Sequence, residues 1–196
     1  MNETAHPKMR EYQRHIGGDS PIYQERKYAA AFSMDLSKTA DPYVMRIETF
    51  ISDSPMSYLS LIGIYDEDLH VRRRIKAACE AAGYAWPEGR TTANFMHPTW
   101  PKRPSMCAAA VAASILAAAG AIQAVERPPY TVILGGVNAD GTVPPFDGDV
   151  DLTALIGHAR EQGIQRVILP AADLVRAGRP DGVEIIGVES LRDLKR

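Results

Sequence analysis

The segment Thr91–Gly120, TTANFMHPTWPKRPSMCAAAVAASILAAAG, decides how this chain folds. Thr91 to Met96 is β-permissive, and His97-Pro98 breaks it. Trp100-Pro101-Lys102-Arg103 is irregular, because each proline pushes the residue before it out of the helical region. Pro104 suits a first helical turn, where its missing N–H costs nothing. From Ser105 to Ala119 nearly every side chain is apolar or small, and Gly120 supplies a left-handed stop. A helix that is apolar all round belongs inside a domain. The spacing therefore predicts a strand, a loop and a buried alanine-rich helix with Ser105 at its tip.

Working outward, 196 residues predict one domain, with an appended arm over residues 1–27 and a folded body over 28–196. A chain of that length buries roughly 70% of its unfolded surface and needs no disulfide or metal staple. A hydrophobic fraction of 45% and a charged fraction of 23% describe an ordinary globular protein. No apolar run reaches the ~18 residues of a membrane span, and MNETAHPKMREYQRH lacks the apolar core of a signal peptide. Cys79 and Cys107 both fall on predicted helices and read as small buried hydrophobes, so a cytoplasmic setting is expected. A net charge of -2 excludes bulk attraction to nucleic acid but not a local patch.

Before the central helix, 27–36 and 43–52 predict two antiparallel strands around Asp41-Pro42. In the second, Met45, Ile47, Thr49 and Ile51 form the inward face, while Val44, Arg46, Glu48 and Phe50 alternate with them. A third strand is expected at 58–64. Asp66 then caps a helix with the apolar stripe Val71, Ile75, Ala78, Cys79 and Ala82, closed by Gly83. After the central helix, 131–137 predicts a buried strand turning at Asn138-Ala139-Asp140-Gly141 into a short return at Thr142-Val143. A helix capped by Asp151, a strand over 164–169, a short helix over 171–177, a strand over 183–188 and a terminal helix capped by Ser190 complete the pattern. Strands first and helix–strand alternation afterwards predict an α/β (α+β) domain with a mixed sheet.

Several short motifs stand in a telling order. Leu61-Ile62-Gly63-Ile64-Tyr65-Asp66 precedes Arg72-Arg73-Arg74 and then Gly83-Tyr84-Ala85-Trp86-Pro87-Glu88-Gly89-Arg90. Leu134-Gly135-Gly136-Val137-Asn138-Ala139-Asp140-Gly141 follows, then Ala159 through Gly163 to Ile168-Leu169-Pro170, and finally Gly187-Val188-Glu189-Ser190-Leu191. In this order and spacing, residues 28–194 resemble the N-terminal domain of the ComM family of magnesium-chelatase-like proteins. The segment Pro101-Lys102-Arg103-Pro104-Ser105-Met106-Cys107 also resembles the surroundings of the nucleophilic serine in Lon-type proteases. The resemblance implies the fold shared by Lon protease domains, the C-terminal domain of RadA and the GHMP kinases. Fold does not set function.

A serine–lysine peptidase needs a base beside Ser105, since a lone hydroxyl is a weak nucleophile. The resemblance places that lysine after the Asp-Gly hairpin, where the span from Gly141 to Gln165 contains none. Losing a base costs on the order of 10²–10⁴ in rate. Lys102, His97 and His158 fit no pattern for a substitute, so Ser105 is expected to be vestigial. No G-x-x-x-x-G-K-[ST] occurs, so the resemblance implies the accessory domain without its ATPase domain. Between Arg72 and Arg103, the cations Arg72, Arg73, Arg74, Lys76, Arg90, Lys102 and Arg103 face only Glu80 and Glu88, making a candidate phosphate-contacting patch. Asp140, Asp147, Asp149 and Asp151 fall where turns and caps favour aspartate, so no metal and no cofactor are expected. The expectation is a catalytically silent Lon-like domain acting as an oligomeric scaffold or DNA-processing accessory, with further copies of itself, single-stranded DNA or a partner ATPase as partners. The alternatives are a serine hydrolase using Ser105 and a phosphate-ligand site at the central helix N-terminus.

Overall fold

The computed structural model describes residues 27–34, 42–64, 69–96, 104–126, 129–148 and 150–195. Residues 1–26 of the predicted arm, the Asp66 cap, His97, Lys102, Arg103 and Asp149 lie outside these residues, while Lys27, assigned to the arm, opens the first strand. The described residues form one mixed sheet of seven strands packed by helices, an α/β fold. In chain order they are β1 (Lys27–Met34), β2 (Val44–Ser52), β3 (Tyr58–Ile62), α1 (Leu69–Ala81), β4 (Arg90–Met96), a 3-10 turn (Pro104–Cys107), α2 (Ala108–Ala118), β5 (Thr131–Ile133), α3 (Leu152–Glu161), β6 (Arg166–Pro170), α4 (Leu174–Ala177) and β7 (Glu184–Val188). A closing 3-10 turn spans Leu191–Lys195. The sheet order is β3-β4-β2-β1-β5-β6-β7. β2 runs antiparallel to both β1 and β4, and the remaining pairs are parallel.

The predicted buried helix is the organising element. Ten of the eleven residues of α2 are buried. Its alanines let the backbone approach β1 and β2 closely, and α1 packs beside it on the same face, over Met45, Ile47, Leu59, Leu61, Ala93 and Phe95. Ser114, the one polar residue of α2, is satisfied: its hydroxyl donates to the Val111 carbonyl at 2.9 Å and lies 2.7 Å from Thr49 Oγ1. On the opposite face α3 covers Phe32, Met34, Val44, Val132 and Val167. The cover of α2 and α1 on one face and that of α3 on the other overlap at β1 and β2, and α3 does not reach β3 and β4.

Three expectations needed correction. The helix does not begin at Ser105; residues 104–107 wind as a 3-10 turn and α2 starts at Ala108. β5 is three residues long, not seven. The chain leaves the sheet at Gly135, whose φ of +121° suits glycine, and bonds instead to the helix tip. The turn at Asn138–Thr142 forms, with Asn138 N–H donating to the Thr142 carbonyl at 2.9 Å. Its return, however, pairs with Ser190 rather than with its own strand. The reason is tertiary: Glu189 offers its carbonyl to the Val143 N–H at 2.8 Å.

Candidate functional site

The carboxyl ends of β5 and β6 meet the tip of α2. Parallel strands leave a crevice at this end, where ligands of α/β folds commonly bind. Ala109 N–H donates to the Gly135 carbonyl at 3.1 Å, and Gly135 N–H donates to the Met106 carbonyl at 3.2 Å. A Cβ on Gly136 would stand 2.9 Å from the Ser105 carbonyl oxygen, so the glycine pair is what lets the two segments touch. Val143, Pro144 and Pro170 close the surroundings of the two glycines. Ser105 itself is half-buried. The Ala109 N–H that a bound anion would use at this helix terminus is already committed to Gly135.

Beside this tip lies a clamp that the sequence pattern does not reveal. Asp173 is buried, and its two oxygens accept from the Phe146 N–H at 2.8 Å and from Arg176 Nη1 at 2.7 Å. Arg176 also donates to the carbonyls of Phe146, Asp147 and Val150 at 3.2, 3.3 and 2.8 Å. One carboxylate and one guanidinium therefore hold the segment 146–150 against the end of β6. Aspartate just after a strand reads as a turn residue, and nothing in the spacing marks it as buried. Asp173→Asn keeps the volume but turns an N–H toward a donor. The expected result is a loss of about 2–4 kcal/mol in urea unfolding, with faster amide exchange over 144–148.

Among the described residues, Arg90 does not join the cations of α1. Arg72 and Arg74 are half-buried on α1, and Arg73 and Lys76 are exposed there. Lys76 lies 3.9 Å from Glu80 and 6.0 Å from the centre of the Trp86 ring. Arg90 is on β4 in step with Thr92, Asn94 and Met96, whereas Ala93 and Phe95 face the helices. Alternation along a strand therefore puts Arg90 on the side of the sheet opposite α1. There it lies 5.5 Å from the Tyr58 ring. Of the acidic residues, Asp140 accepts from Thr142 N–H and Oγ1 at 2.9 and 2.6 Å, which holds its carboxyl below the usual range. Asp151 caps α3 through the Ala154 N–H at 3.0 Å. Both are occupied by the turns that favour them.

A second site missed by periodicity is a buried ionic cluster. Alternation along β2 assigns Arg46 to the outward face, yet it is 2% exposed. Its guanidinium bonds Glu48 and the Tyr28 hydroxyl and reaches Glu126 at 3.5 Å. Burial pushes the Tyr28 phenol well above its ordinary pKa, Arg46 opposes the rise, and Glu48 and Glu126 add to it. Among the described residues the Arg46 Nε is buried without a partner. The signal was the pairing Arg46–Glu48 on one side of a strand, which reads equally well as a solvated pair.

A seven-stranded mixed sheet wrapped on an alanine-rich helix, with a glycine pair seated on the helix tip, defines the class: an α/β domain whose motif order resembles the magnesium-chelatase-like proteins. Residues 47–173 match the family described as subunit ChlI of Mg-chelatase, and the chain belongs to that family. It is also 33% identical, over 166 residues, to uncharacterized proteins of Mycobacterium tuberculosis and Mycobacterium bovis. The match takes in 84% of this chain and 32% of those relatives, so the chain spans about a third of their length. No helix among the described residues is long and apolar enough to cross a membrane.

Proposed function

We propose that this chain is a catalytically silent, Lon-like holding domain of the ChlI family, associating with copies of itself and with the backbone of single-stranded DNA. The observation that supports this reading is the cationic face of α1. Arg73 and Lys76 project from a helix whose other side is fixed in the core by Val71, Ile75 and Ala78. A helix backbone fixed in the core presents these two cations to phosphates with no further cost of backbone ordering. Arg90 lies on the opposite side of the sheet and contributes to a different surface. A partner ATPase is the further partner this reading adds. The tip at Ser105 serves as packing, with glycine and proline around it where a nucleophile would need a base.

The test is fluorescence anisotropy of a labelled oligothymidylate over a salt series. Binding should weaken as salt rises. Arg73→Glu with Lys76→Glu should weaken it at least about tenfold and flatten the salt slope by roughly one to two, as expected for two lost phosphate contacts. Absence of any binding at low salt overturns the nucleic-acid reading. Labelling of Ser105 by a serine-directed phosphonate would overturn the silent one in favour of a hydrolase.

A further inference from the structure

The sheet ends in β3, and among the described residues no backbone group pairs with its free side. Natural proteins blunt such edges with lysine, proline or a bulge. β3 uses none of these. Its sequence, Tyr58-Leu59-Ser60-Leu61-Ile62, is uncharged and free of proline, and it pairs with β4 in unbroken register from Tyr58 opposite Arg90 to Ile62 opposite Asn94. Leu59 and Leu61 are buried in the core, while Tyr58 and Ile62 are 40% and 46% exposed on the other face. Met96 and Met56 extend the exposed apolar surface. This is the half of the sheet that α3 leaves unroofed.

The strand has the same chemistry read in either direction from Ser60. Laid antiparallel against a copy of itself, it sets Ser60 opposite Ser60 of the partner subunit, and Leu59 opposite Leu61 of the partner subunit. Tyr58 then meets Ile62 of the partner subunit, an aromatic residue beside a β-branched one on the same face. Apolar meets apolar throughout, and no charge faces a like charge. A two-fold axis through Ser60 closes the contact, so the pairing stops at two copies and does not propagate.

We propose that β3 is the seam through which two copies of this chain join, antiparallel with Ser60 on the axis, into one continuous sheet. The proposal rests on the reading of the chain as an association domain and names the surface it uses. Because the axis is perpendicular to the sheet, both copies of α1 lie on the same face of the joined sheet, so one surface carries two cationic helices. A seam of five residues is short, and the dimer should assemble in the range of roughly 1–100 μM.

Cross-linking and sedimentation velocity on the full chain test this. Cys79 and Cys107 are buried, so an introduced surface thiol is the accessible one. Antiparallel partners across an axis stand about 4.5–5.5 Å apart at Cα, within disulfide reach. Ser60→Cys should therefore give a disulfide dimer at least about tenfold faster than Ile62→Cys, whose facing residue is Tyr58. Ile62→Lys should raise the midpoint of self-association at least about tenfold with circular dichroism unchanged. Val175→Lys, at a residue 93% exposed and remote in sequence, should leave it in place. Equal cross-linking rates, or a dimer untouched by Ile62→Lys, overturn the seam and leave self-association standing. A chain monomeric at every concentration overturns both.

Discussion

Arg46→Ala is expected to destabilise the protein by about 3–5 kcal/mol in urea unfolding, the range for removing one partner of a buried ion pair. The size follows from what is left behind. Glu48 and Glu126 each reach the guanidinium and are themselves only 14% exposed, so its loss removes a compensating cation from two carboxylates in a low-dielectric site. The cluster also ties β1 to β2 and to the segment that follows α2, through Tyr28, Glu48 and Glu126. Arg46→Ala combined with Glu48→Gln and Glu126→Gln should recover much of the loss, because the cost lies in uncompensated charge. If the single variant costs less than about 1 kcal/mol, the cluster is solvated and the argument fails.

Tyr28 of this cluster and Cys79 on α1 together predict how stability responds to alkali. Burial raises the Tyr28 phenol above its ordinary 10.0, and burial of the Cys79 thiol, with a smaller push from Glu80, raises it from 9.0 to about 12. Both groups stay protonated in the folded chain at a pH where the unfolded chain has already released its proton. Their contribution is whole below pH 9 and declines as pH rises, first through Cys79 and above pH 10 through Tyr28 as well. Each group adds a slope of roughly 1.4 kcal/mol per pH unit while only the unfolded state is ionised. Urea midpoints measured from pH 8 upward should show that decline, and Tyr28→Phe should flatten its upper part.

Gly89→Ala is the second large expected effect, at roughly 3 kcal/mol. Gly89 has φ +87°, and a Cβ there would stand 2.4 Å from the Ser52 carbonyl oxygen and 3.3 Å from the Ser54 backbone nitrogen. Those are main-chain atoms at the end of β2, where Ser52 pairs with Arg90, so neither can swing aside without opening the sheet. Positive φ adds strain of about 1 kcal/mol for alanine. Gly83→Ala is the control: its φ is +86°, but nothing lies within 4 Å of the added carbon, so it should cost only the conformational part. Thermal unfolding of the pair separates clash from backbone preference.

Most elements were legible because their signals are local. The stripe Val71, Ile75, Ala78 and Cys79 repeats at the helical period, and all four are buried where α1 meets α2. Gly83 and Asp151 end and begin helices for reasons contained within a few residues. The candidate site was less legible. Ser105, expected as the first residue of the central helix, lies half-buried in the 3-10 turn before it, and among the described cations strand alternation puts Arg90 on the side of the sheet opposite those of α1. Asp173 gave no signal, and the Arg46–Glu48 pairing could not be told from a solvated pair, since burial of a charged side chain depends on what folds over it.

What the residues determined unaided, then, was the α/β class, the buried alanine-rich helix and the family, because periodicity, capping and motif order are carried within short stretches. Only the tertiary structure decided that Thr142 pairs with Ser190, that Asp173 and Arg176 clamp 146–150, that Arg46 is enclosed by Tyr28, Glu48 and Glu126, and that β3 is left as the open edge. Each of these joins segments far apart in the chain, and the energy of such a contact belongs to the pair, not to either sequence neighbourhood.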